Sequence, residues 1–138
     1  RVLGVSDMTA VFDGEKYNCG LGLRVYDTSA GKIGVLVGQD VFFPESVKSL
    51  AQCGSDMIVC AYEHVGENVE QILLRAAAFC YGVPMCMSSH GYAQVADVSG
   101  KLHFASPQPV SYCTLDNMRE YHLIETRRRG FYKPQGNY

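Results

Sequence analysis

Two short patterns carry reactive side chains at matched spacing, Cys60-x-x-x-His64 and Cys86-x-x-x-His90. Thiolates and imidazoles are ligands for zinc, and the same pair can act as a nucleophile with its base. Each pattern begins inside an apolar run that reads as a β-strand, Met57–Ala61 and Val83–Ser88. The two histidines therefore fall at the carboxyl ends of strands. A third apolar run, Ile33–Val37, ends in Gly38-Gln39-Asp40, and Pro44 follows. This is a strand-turn-helix junction, the kind of place where open α/β sheets hold their ligands. Gly38, Gln39, Glu63, His64 and His90 thus form one candidate pocket. Gly38, at the tip of the turn, has no side chain with which to attack or to move a proton.

Metal-finger spacing is absent, and Cys60 and Cys86 sit in mid-strand. The reading that follows is two core cysteines and two loop-edge histidines, with no metal and no cofactor expected. Other reactive residues fare no better. Cys53 and Cys80 lie near helix ends and read as packing residues. His103 and His122 stand apart and read as surface histidines. Ser88-Ser89-His90 has no indicated acid partner. Tyr81, Tyr92, Tyr112 and Tyr121 suit core or interface positions. Gly20-x-Gly22 lacks the strand-to-helix setting and the Lys-Ser/Thr of a phosphate loop.

The elements that must position these residues follow from periodicity. Residues 1–9 are a lead-in, and Ala10–Asp13 is a short apolar piece closed by Asp13-Gly14. Leu21–Asp27 alternates as a half-buried strand does, and a turn over Thr28–Gly31 makes a hairpin with Ile33–Val37. The latter is apolar throughout, as strands covered on both faces are. Pro44 opens a helix in which Val47, Leu50 and Ala51 form the buried face, and Gly54 stops it. A second helix, Glu67–Phe79, carries Val69, Ile72, Leu73, Ala76 and Phe79 at helical spacing, with Gly82 as its stop. The β-α-β-α-β order predicts parallel strands with right-handed crossovers. Gln94–Val98, Leu102–Ala105 and Val110–Leu115 read as short antiparallel strands, and Asn117–Tyr138 as a short helix followed by an extended arm.

The 138 residues suffice for one domain, 1–138. With 47% hydrophobic and 19% charged residues, the composition fits a packed core and not a disordered chain. A net charge of -2 argues against nucleic acid as a partner, and Arg127-Arg128-Arg129 is too short to change that. No run is long enough to span a membrane and no leader pattern is visible. Six scattered cysteines without a CxxC pair suggest a reducing, cytoplasmic setting.

Several of these segments together resemble one family. Gly31-Lys32-Ile33-Gly34-Val35, then Asp40 and Phe43-Pro44-Glu45, is similar to the nucleophile segment of the nitrilase, or carbon–nitrogen hydrolase, superfamily. Ala51-Gln52-Cys53-Gly54-Ser55-Asp56, Leu74-Arg75-Ala76-Ala77-Ala78-Phe79, Gly82-Val83 and Asp97-Val98-Ser99-Gly100 resemble later family segments in the same order. Asp116, Arg127-Arg128 and Tyr132 resemble its closing segment. The resemblance spans nearly all of the chain but only the C-terminal half of a family domain. It implies an α/β fold, half of an α-β-β-α sandwich with a mixed sheet, and assemblies built by packing helix layers. It also implies a chemistry in which a Cys thiolate attacks a nitrile or amide carbon, a Glu acts as base and a Lys steadies the oxyanion.

The nucleophile does not carry over, because its matching position is Gly38. The Glu and Lys belong to a part of the family domain that precedes this chain, and Glu45 is assigned a role at a helix start. The expectation is a degenerate domain without amidase or nitrilase activity that acts as a binding or assembly module, with a small amide- or nitrile-like ligand. The alternative is a portion of an enzyme whose catalytic Glu and Lys lie elsewhere. Half a sandwich leaves one apolar sheet face bare, which predicts a homo-oligomer, a complementary half or a truncated chain.

Overall fold

The computed structural model describes residues 1–10, 18–63 and 69–115. Its centre is a six-stranded sheet in which spatial order follows chain order. The strands are β1 (Arg24–Thr28), β2 (Gly31–Val37), β3 (Met57–Ala61), β4 (Met85–Ser89), β5 (Tyr92–Ala96) and β6 (Leu102–Ser106). β2, β3 and β4 run parallel, while β1, β5 and β6 add antiparallel pairs at the two sides. The sheet is mixed, as the family resemblance implies.

Two helices supply the crossovers, α1 (Pro44–Gln52) and α2 (Val69–Tyr81). Phe43 is extended, as a residue before proline must be, and Pro44 starts α1 without losing a needed donor. The helix ends where Gly54 takes a φ of +81° and Ser55 turns both its N–H and its Oγ back to the Leu50 carbonyl, at 3.3 and 2.9 Å. The order β2-β3-β4 never reverses, so crossovers of one hand place both helices on one face, where they touch each other. Leu36, Ile58, Cys60, Met85, Met87 and Ala96 point to that side and pack with Val47, Leu50, Leu74 and Ala78. Gly34 lets α1 approach closely. A Cβ there would stand 2.7 Å from Ser55 Oγ and 3.3 Å from Leu50 Cβ.

The other face differs from the expectation for β2. Ile33, Val35, Val59, Cys86 and Phe104 are only half-buried, and an apolar groove of about 340 Å³ runs among Val35, Val59, Cys86, Val95 and Phe104. No described helix lies on this face, so the unbroken apolar run of β2 marks two apolar faces of which the described residues cover one with helices.

Several boundaries move. β1 begins at Arg24, not Leu21, and β5 spans Tyr92–Ala96 because Asp97 turns the chain. Val110–Leu115 is not a strand. Pro107 and Pro109 remove ladder donors just before it, and Val110 and Tyr112 are exposed. The buried stripe of α2 is also turned from the one expected. Glu70, Leu74 and Ala78 face the sheet, whereas Val69, Ile72 and Phe79 are exposed. His64 and the expected helix start at Glu67, the piece over 11–13 and the tail 116–138 lie outside the described residues.

Candidate functional site

The carboxyl ends of the three parallel strands open into one cleft of about 1020 Å³. Val37, Gly38, Gln39 and Phe42 come from the end of β2 and the 3-10 turn Gly38–Phe42. Ala61, Tyr62 and Glu63 follow β3, Ser88, Ser89 and His90 end β4, and Ser6, Asp7, Met8 and Asn18 form the remaining wall. Four of the five candidate residues, Gly38, Gln39, Glu63 and His90, therefore share this cleft. His64 lies outside the described residues.

Gly38 has a φ of +55°, a left-handed conformation that a side chain disfavours. The sulfur of Met8 lies 2.6 Å from where a Cβ on Gly38 would stand. The same sulfur accepts the Gln39 N–H at 3.4 Å. Met8 is held there by its neighbours. Asp40, fully buried, accepts the N–H and hydroxyl of Thr9 and the N–H of Ala10 on one oxygen, each at 2.8 Å. Its second oxygen takes the Val37 N–H at 3.4 Å. One carboxylate thus ties the lead-in segment to the turn.

The rest of the wall is aromatic and hydroxylic. Phe42 and Tyr62 pack edge to face, with ring centroids 5.7 Å apart. Burial, and then the nearby Glu70 carboxyl, push the Tyr62 phenol above its ordinary range, so it stays neutral. Ser89 Oγ is buried and has no hydrogen-bond partner among the described residues. The described lining includes the carboxylates Asp7 and Glu63 and neither Lys nor Arg.

The two cysteines of the Cys/His patterns do not converge. Cys60 pairs in register with Leu36 and Met87 and points to the helix side, whereas Cys86 pairs with Val59 and Val95 and points to the open face. Cys60 is a core residue. Cys86 is not fully buried, and its thiol lies 3.3 Å from Met57 Sδ. Burial, helped by Asp40, pushes the Cys60 thiol up to about 12. Burial, helped by Cys113, pushes Cys86 up to about 11. Both are neutral thiols at physiological pH and poor nucleophiles. Among the described residues, no group of three His, Cys, Asp or Glu side chains is placed to hold a metal.

His103 is not a loose surface group. Its Nε2 lies 2.7 Å from Asp97 Oδ2, away from the cleft. Sequence reasoning missed Met8 and Tyr62 as wall residues. Met8 lies in a lead-in without periodicity, and no local signal ties it to a turn thirty residues away.

No curated protein matches the chain. Among solved structures, a carbon–nitrogen hydrolase from Helicobacter pylori G27 superimposes with a TM-score of 0.80 at 22% identity, over 96% of this chain and 60% of its own. Nit3 of Saccharomyces cerevisiae, from branch 10 of the nitrilase superfamily, gives 0.71 at 21% identity, over 77% and 45%. An amidase from Nesterenkonia sp. gives 0.59 at 22%, over 69% and 42%. The chain thus spans between 42% and 60% of the length of these neighbours. The model of the carbon-nitrogen hydrolase family matches residues 8–128. With that match over most of its length and this sheet, the chain belongs to the carbon–nitrogen hydrolase family.

Proposed function

We propose that this carbon–nitrogen hydrolase domain binds a small amide- or nitrile-like molecule in the cleft and does not hydrolyse it. One observation carries the reading. The residue at the tip of the β2 turn, where the family resemblance puts the attacking thiolate, is Gly38, and the cysteines of the neighbouring strands are neutral thiols. Without a nucleophile no covalent intermediate forms, and what remains is binding. The Asp7 and Glu63 carboxylates favour a neutral or cationic ligand over an anionic one.

The second reading is a portion of an amide- or nitrile-hydrolysing enzyme whose catalytic Glu and Lys come from outside this chain. The half-buried apolar face of the sheet supports it, because a second layer would cover that face. The exposed Val69, Ile72 and Phe79 stripe of α2 supports assembly through helix layers, as a homo-oligomer or with a complementary half. Six free thiols fit a cytoplasmic setting. No described helix is long and apolar enough to cross a membrane. The whole chain, residues 1–138, acts as one domain in either reading.

Ammonia release from simple aliphatic amides and nitriles separates the two. The binding reading expects none from the protein and detectable ligand contact in the cleft by ligand-observed NMR. Release by the unaltered protein that Gly38→Cys leaves unchanged would sink it.

A further inference from the structure

We propose that Met8 limits access to the cleft's turn as a displaceable thioether plug over the backbone amide of Gln39. The inference rests on the cleft being a ligand site. Three distances carry it. The Met8 sulfur occupies the space where a Cβ on Gly38 would stand, 2.6 Å from it. It accepts the Gln39 N–H at 3.4 Å. The backbone on either side of this contact is fixed, because Asp40 clamps Thr9 and Ala10 at 2.8 Å.

The plug is of a kind that a ligand can move. A thioether is a weak acceptor, so a carbonyl oxygen makes a better bond to the same N–H. Methionine has three rotatable bonds and repacks readily, while the clamped backbone keeps the turn in place when it does. Rotation of this one side chain withdraws the thioether from the Gln39 N–H. A neutral carbonyl compound that reaches the turn takes over the N–H and the space above Gly38. Asp40 is a positioning residue in this scheme, since it acts through Met8.

The test uses propionamide as the probe and compares the protein with its Met8→Ala variant. Removing the plug removes a competing hydrogen bond, worth roughly tenfold in affinity. Propionamide should therefore bind about tenfold more tightly to Met8→Ala. In the unaltered protein it should shift the Gln39 amide and the Met8 methyl resonances together, a readout that does not depend on the variant folding. Equal or weaker binding by a folded Met8→Ala overturns the plug. So does a Gln39 shift in the unaltered protein with the Met8 methyl unmoved, and either result leaves the cleft standing as an amide site. No shift at Met8, Gly38 or Gln39 in either protein removes the cleft as an amide site, and the plug with it.

Discussion

The carboxylate of Asp40 and the backbone N–H of Thr9 are 2.8 Å apart, across an interval of 31 residues. The same oxygen also holds the Thr9 hydroxyl and the Ala10 N–H. This is the bond set that joins the first residues of the chain to the cleft.

Asp40→Ala should therefore cost about 2–4 kcal/mol, since it strands several donors that a buried charged acceptor now satisfies. Urea denaturation measures it. Asp40→Asn should lose less, because a side-chain oxygen still faces Thr9.

Gly34→Ala should destabilise by about 1–3 kcal/mol through overpacking between α1 and β2. The new methyl meets Ser55 Oγ and Leu50 Cβ. Adding Ser55→Gly should recover part of the loss in a double-mutant cycle, net of the Ser55 Oγ bond to Leu50 that it removes.

Alkylation by iodoacetamide near neutral pH should divide the six thiols. Cys19, Cys53, Cys80 and Cys113 are exposed and should label quickly. Cys60, buried and pushed up to about 12, should label only when the protein unfolds, and Cys86, half-buried and pushed up to about 11, should label more slowly than the exposed four. Peptide mass spectrometry reads the order, and rapid labelling of Cys60 in the folded protein contradicts it.

The connection from β5 to β6 should show an acid-dependent contribution. Burial of Asp97 opposes its ionisation. Hydrogen bonds from Ser99 and His103 side chains and from the Lys101 and Ser99 amides outweigh that and hold it at about 2, below the ordinary 3.8. A depressed carboxylate stabilises the fold above its unfolded pKa and loses that contribution as pH falls toward the folded value. The melting temperature of Asp97→Asn should then be lower than that of the parent at pH 6, with the difference shrinking between pH 4 and pH 2.

What the sequence made legible was whatever local periodicity and punctuation determine. Pro44, Gly54 and the Val47-Leu50-Ala51 face define α1 correctly because its core contacts and its caps agree. α2 misled because it carries two apolar stripes. Val69, Ile72 and Phe79 form the more hydrophobic one, yet the sheet receives Leu74, Ala78 and the carboxylate of Glu70. Periodicity reports that a helix has an apolar face but cannot choose between two. The cleft was legible where it rests on strand ends, at Gly38, Gln39, Glu63 and His90. The wall at Met8 was not, because its place is set by long-range bonds to Asp40 and Gln39.

The sheet also bears on how the chain folds. Each strand pairs with the one just before it in sequence, from β1 to β6, without an exception among the described residues. The antiparallel pairs β1–β2, β4–β5 and β5–β6 close short turns, while the parallel pairs β2–β3 and β3–β4 each close across a single helix. A chain emerging from its amino end can add each strand to an edge that already exists. Among the described residues the sheet thus has no strand that must be inserted between two already paired neighbours.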